Sequence, residues 1–120
     1  MKGLHLTADL YRCRCEPAWL ADAQQLAAWC ASAAQAVGLE PLEHAFHPVD
    51  GGGITGAVLM PGAHVCLHTW PGEKAVAVDV YVGDAATDQS AKARGLMFAL
   101  VNRFQPEWTE QRSLDRGEEE

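Results

Sequence analysis

Two histidines four residues apart, a thiol between them and a tryptophan behind them fall in one alternating run, His64-Val65-Cys66-Leu67-His68-Thr69-Trp70-Pro71. In an extended strand successive side chains point to opposite faces, so His64, Cys66, His68 and Trp70 share one face and Val65, Leu67 and Thr69 the other. Imidazoles titrate near neutral pH and can carry protons, and an indole offers a π face to a cation. A single histidine on such a strand reads best as a residue held by packing. Two on one face, beside a turn, point to a site.

The flanking segments read as the frame that positions this run. Ile54 to Met60 is a small, apolar strand, and Pro61-Gly62 hairpins it onto the central stretch. Asp50-Gly51-Gly52-Gly53 is glycine-rich, but no Gly-Lys-Ser or Gly-Lys-Thr follows and a strand comes next, which excludes a phosphate loop. After Pro71-Gly72, residues 74–82 alternate: Val76, Val78, Val80 and Val82 face one way, Ala75, Ala77, Asp79 and Tyr81 the other. Asp79 on so apolar a strand is expected to meet a histidine, an arginine or a backbone amide. Leu4 to Tyr11 alternates too, with His5, Thr7, Asp9 and Tyr11 on the polar face. If that strand joins the same sheet, His5 and Asp9 line a common pocket with His68 and Trp70.

Two helices complete the pattern. Pro17 to Val37 carries an apolar stripe of Trp19, Ala23, Leu26, Ala27, Cys30, Ala33, Ala34 and Val37, and Gly38 ends it. Thr87 to Phe104 carries Ala93, Leu96, Met97, Leu100, Val101 and Phe104. Leu39 to Val49 reads as extended, and a last strand runs from Trp108 to Leu114. The order β-α-β-β-β-β-α-β predicts an α+β, two-layer α/β sandwich, with a mainly antiparallel sheet and both helices on one face. The other face must stay wet or meet a second subunit.

At 120 residues, with 48% hydrophobic and 21% charged, the chain is sized for one domain. We place it at residues 1–114, with 115–120 an acidic, disordered tail. The net charge is −7, of which residues 107–120 hold −4, and no basic stripe is present, so nucleic acid is not the expected partner. No apolar run approaches the roughly 20 residues of a membrane span, and the N-terminal residues lack a signal peptide's apolar stretch, which makes cytoplasmic the expected location. Cys13, Cys15, Cys30 and Cys66 form no Cys-x-x-Cys pair and are read as thiols, with no metal site.

From Gly3 to Val101 the chain resembles the short prokaryotic S-adenosylmethionine decarboxylases, the pyruvoyl enzymes of spermidine synthesis. The likeness rests on His5-Leu6-Thr7-Ala8-Asp9-Leu10-Tyr11 with Cys13, on Phe46-His47, Gly56-Ala57-Val58, His68-Thr69-Trp70-Pro71, Val78-Asp79-Val80 and Gly83-Asp84. The resemblance implies a dimer that stacks two sheets into an αββα sandwich, with active sites at the interface. It also implies a self-cleaving serine after the hairpin turn, in a Glu-Ser-His pattern, which becomes the pyruvoyl group that serves as electron sink.

Here that pattern is Gly62-Ala63-His64. Ala63 has neither a hydroxyl to attack the preceding carbonyl nor a leaving group to eliminate, so the pyruvoyl cofactor is expected to be absent. The family's catalytic cysteine is missing as well, because Val82 meets Gly83 directly. The acid after Trp-Pro is displaced to Glu73, and Val49 stands where an aromatic is usual. His68, at the processing histidine's position, and Thr55, at a usual serine position, remain. By resemblance His5, Asp9, Trp70 and Glu73 are the substrate-binding candidates, for S-adenosylmethionine or a polyamine. Cys66, on a strand past the usual site, is no substitute nucleophile. The expected function is that of a non-processing homologue, a partner or regulatory subunit in a homodimer or in a heterodimer with an active paralogue, or a ligand binder. The alternative is a decarboxylase working by another route.

Overall fold

Six strands form one sheet, and their alternation decides which side of it is dry. The structure, a computed structural model, describes residues 2–83 and 87–117. In chain order the elements are β1 (Lys2–Cys13), α1 (Ala18–Ala21), α2 (Ala23–Ala36), β2 (Glu43–Pro48), β3 (Ile54–Met60), β4 (Ala63–Trp70), β5 (Ala75–Gly83), α3 (Ser90–Phe104) and β6 (Pro106–Gly117). The sheet order is β2-β3-β4-β5-β1-β6, and every neighbouring pair is antiparallel. The two-layer α+β architecture predicted from the alternation is the one observed. Among the described residues no helix is long and apolar enough to cross a membrane.

Leu4, Leu6, Ala8 and Leu10 of β1, Val65 and Leu67 of β4, and Val76, Val78, Val80 and Val82 of β5 are all buried on the helix side. α2 packs over β2 and β3, and α3 over β1 and β5. Their buried residues, Leu26, Ala27, Cys30 and Ala34 on α2 and Ala93, Leu96, Met97, Leu100 and Phe104 on α3, belong to the expected stripes. Burying these side chains, at about 1.5–3 kcal/mol for each large one, is what holds the two layers together.

Boundaries differ from expectation at several places, and β2 starts at Glu43 rather than Leu39. The helix predicted as continuous from Pro17 to Val37 breaks at Asp22, which leaves the helical region at φ −97°, ψ 100° and caps α2 by accepting a hydrogen bond from the Gln25 amide. Asp22-Ala23-Gln24-Gln25 is a capping-box spacing, and that was the signal for a new start. α3 begins at Ser90 rather than Thr87, where the Asp88 carboxylate accepts the Ser90 amide at 2.8 Å. Finally, β6 runs past Leu114, and Asp115, Arg116 and Gly117 pair with Leu4, Gly3 and Lys2 instead of beginning a tail. Glu118–Glu120 and Asp84 lie outside the described residues.

Two glycines of the resemblance region have structural reasons. Gly56 lies opposite Phe46, and a Cβ there would fall inside the Phe46 ring. Gly62 takes φ +64° in the turn that feeds β4, a conformation in which side chains are disfavoured.

Candidate functional site

The face of the sheet away from the helices carries the polar residues, and the strand register arranges them in rows. One row runs Leu114, His5, Tyr81, His64, Leu59 across β6, β1, β5, β4 and β3. The next runs Arg112, Thr7, Asp79, Cys66, Ala57, and the third Glu110, Asp9, Ala77, His68, Thr55. The expectation that β1 and β4 display one common polar face is met.

In the first row Tyr81 lies between two imidazoles. The His64 ring stacks on it at 5.6 Å and 25°, and His5 meets it edge-on at 6.2 Å. His5 Nε2 is buried without a hydrogen-bond partner, 3.8 Å from Asp79 Oδ2. Asp79 thus meets a histidine, one of the partners expected for it. Its side chain is 47% exposed on the open face, so water supplies what a dry strand would not.

Desolvation, aided by the neighbouring His5, lowers the His64 pKa, and Asp79 offsets this only in part. A group whose pKa is depressed by folding contributes stability that is present above its unfolded pKa, about 6.5, and is lost as pH falls below it toward the lowered value. Melts at pH 7.5 and 5.5 are therefore expected to show acid destabilisation. His64→Gln should shrink the difference; an equal difference in the variant would remove His64 as its source.

Cys66 is a poor nucleophile here, because burial and the nearby Asp79 charge both raise its pKa. Cys13 is pushed up to about 11 by burial and by Cys15, and Cys30 to about 12 by burial. All four are free thiols. Among the described residues no group of three or more His, Cys, Asp or Glu side chains could hold a metal ion.

The third row joins the two positions retained from the resemblance. Thr55 Oγ1 and His68 Nδ1 lie 3.1 Å apart, and the His68 ring is tilted 36° against Trp70 at 6.1 Å. Asp9 shares the row but sits two strands away across Ala77, about 10 Å at sheet spacing, and its carboxylate lies 3.7 Å from Arg112. Trp70, 47% exposed, walls a cavity of ≈ 180 Å³ with Val49, Asp50, Gly53, Pro71 and Glu73. Glu73 also borders a groove of ≈ 680 Å³ against Tyr11 and Trp108, whose rings stack at 4.5 Å. The structure thus brings Trp70 to Glu73 and His68 to Thr55. His5 and Asp9 share the open face with them but do not line the Trp70 cavity.

Ala63 stands apart from all of these. It opens β4 opposite Met60 and Val82, and the Gly62 carbonyl before it accepts the Gly83 amide at 2.8 Å. Five residues of extended chain, roughly 17 Å, separate it from His68. Tyr81 and Arg112 are features that sequence reading did not single out; Tyr81's place opposite two histidines depends on register, which alternation alone leaves open.

A helix-backed antiparallel sheet with an open face of histidines, carboxylates and aromatics defines this as a two-layer α+β protein with its candidate residues on the sheet surface. A profile of the S-adenosylmethionine decarboxylase family matches residues 4–117, and the chain belongs to that family. It is 29% identical over 116 residues to the S-adenosylmethionine decarboxylase proenzyme of Hydrogenobaculum sp., covering 96% of this chain and 81% of that one. Against the S-adenosylmethionine decarboxylase proenzyme of Parasynechococcus marenigrum the identity is 35% over 94 residues, 78% of this chain and 72% of the other. The crystal structure of the adenosylmethionine decarboxylase from Aquifex aeolicus VF5 superposes with a TM-score of 0.80 at 26% identity, covering 98% of this chain and 92% of that chain.

Proposed function

We propose that this protein is a member of the family that does not process itself, acting as a partner or regulatory subunit through the open sheet face. The observation that carries the reading is Ala63 at the head of β4. The residues present do not fit a pyruvoyl group: the side chain at the required position is a methyl, and Val82 and Gly83 lie opposite with no cysteine between them.

The open face supports the partner role. His68 and Thr55 sit together, roughly 17 Å along the strand from position 63, so within one protomer the two ends of the site cannot meet. A second sheet stacked on this face would be presented with His68 and Thr55 of the first. A chain that offers His68 and Thr55 but no serine can complete a partner's site without forming its own. A second reading, a binder of S-adenosylmethionine or a polyamine, draws on Trp70 with Asp50 and Glu73 around one cavity, an aromatic face beside carboxylates that would favour a cation.

The partner reading is tested by mixing the protein with a self-processing family member. Mixed dimers in native mass spectrometry, with a changed decarboxylation rate per active chain, are expected. A protein that stays monomeric at micromolar concentration and leaves the active enzyme untouched would sink it. Calorimetry with S-adenosylmethionine, its decarboxylated product and spermidine tests the second reading, with Trp70→Ala expected to weaken binding more than Asp9→Asn, whose carboxylate already faces Arg112. No heat with any of the three would dismiss it.

A further inference from the structure

The two edges of the sheet are built differently. β2 is six residues long and ends at Pro48, and shortness and proline are two of the ways an edge is blunted. β6 is twelve residues long with its one proline at its first position, and among the described residues no strand pairs with its outer edge. Trp108 and Leu114 on it are 56% and 58% exposed. On the helix side α3 stops short of β6 and leaves a trough of ≈ 460 Å³, lined in part by Met97, Phe98, Val101 and Gln111. Phe98 is 69% exposed.

We propose that β6 is a self-pairing edge on which a second copy of this chain docks antiparallel, with Gln111 opposite Gln111 on the twofold axis. The side chains favour this register over the adjacent ones; an axis at Ser113 opposes no like charges and pairs Glu110 with the partner's Arg116, but it gives up both Trp108–Leu114 contacts. On the open face Trp108 meets the partner's Leu114, and Glu110, which already accepts from Arg112 of its own chain at 3.0 Å, meets the partner's Arg112, each twice by symmetry. On the helix face Thr109 meets the partner's Ser113. Moving the axis to Glu110 sets two glutamates against each other, and moving it to Arg112 opposes two arginines; like charges directly opposite destabilise a strand pair. The chosen register leaves one kind of like-charge contact, Glu107 against the partner's Asp115, twice by symmetry and at the exposed ends of the pairing, where solvent screens it.

Pairing would also join the two troughs across the axis into one channel between the two α3 helices, which withdraws Phe98 from water. The contact is isologous and closes at two chains, and the blunted β2 edge gives it nowhere to propagate. It leaves the open face of His5, His64 and His68 free, so it stands independently of the partner role proposed above.

Cysteine cross-linking in a Cys66→Ala background tests the register, since Cys66 is the one native thiol that is not buried. Directly opposed residues of an antiparallel pair have Cα atoms about 4.5–5.5 Å apart, within disulfide reach. Q111C is expected to cross-link to itself under mild oxidation. T109C and S113C should each stay uncross-linked alone and cross-link when mixed. No cross-link at Q111C, or equal cross-linking at all three positions, would overturn the proposal. In sedimentation, E110R and R112E should each weaken self-association about tenfold or more, and the double variant should recover it. Single losses without that recovery would overturn it too. A dimer stacked through the open faces would leave Q111C uncross-linked, because Gln111 lies on the helix side.

Discussion

Given S-adenosylmethionine labelled at its carboxyl carbon, the protein is expected to release no carbon dioxide above background, and its intact mass is expected to remain a single species of 13.0 kDa. The relatives it matches are named as proenzymes, and the resemblance to the pyruvoyl enzymes implies that conversion of such a precursor asks two things of the residue at position 63. A hydroxyl must attack the Gly62 carbonyl, and that oxygen must then leave with the peptide as the carboxylate of the ester it has formed. Ala63 offers only a methyl group. The surroundings do not compensate: Cys66 lies farther along the strand with its thiol held protonated by burial and Asp79. Enzymes commonly accelerate their reactions by about 10⁶-fold or more, and the whole of that acceleration is expected to be missing when the chain is alone. Two fragments divided near Gly62, together with borohydride-sensitive release of label, would contradict this outcome.

How far the sequence carried the structure varies by element. Valine and leucine alternation specified both faces of β1, β4 and β5, because a one-residue slip would have put that whole set in water. The pairing of His5, Tyr81 and His64 was not legible in the same way. It depends on which residue of one strand lies opposite which of the next, and alternation is indifferent to shifts of two. The break at Asp22 was readable as a capping box, but the continuous stripe of alanines concealed it. Asp79 was legible as an acid in need of a partner, and it lies 3.8 Å from His5, but which of the partners it would meet depended on the same register. Only the middle of β6 was legible, from Trp108 to Leu114, since Asp115-Arg116-Gly117 carries no apolar period.

Thr69→Val is expected to be the most damaging conservative change in the His-Thr-Trp-Pro run, although alternation merely assigned Thr69 to the core face. Among the described residues it is the one buried polar side chain. Its hydroxyl donates to the Leu20 carbonyl at 2.7 Å and accepts the Ile54 amide at 2.9 Å. One side chain thereby ties α1 and the start of β3 to the end of β4, beside the cavity that Trp70 walls. Valine has nearly the same shape and no hydroxyl, so both backbone groups would be left buried and unpaired, at a cost of about 1–3 kcal/mol each. For a chain of this size the two together, about 2–6 kcal/mol, correspond to a fall in Tm of roughly 8–24 °C. Thr69→Ser keeps both hydrogen bonds and gives up one methyl group, about 1 kcal/mol, so its melting point should lie between those of the valine variant and the native protein. Thermal melts of the three proteins decide the matter: if valine proves as stable as threonine, or serine as harmful as valine, then packing and not the hydroxyl bridge holds the loop to the sheet.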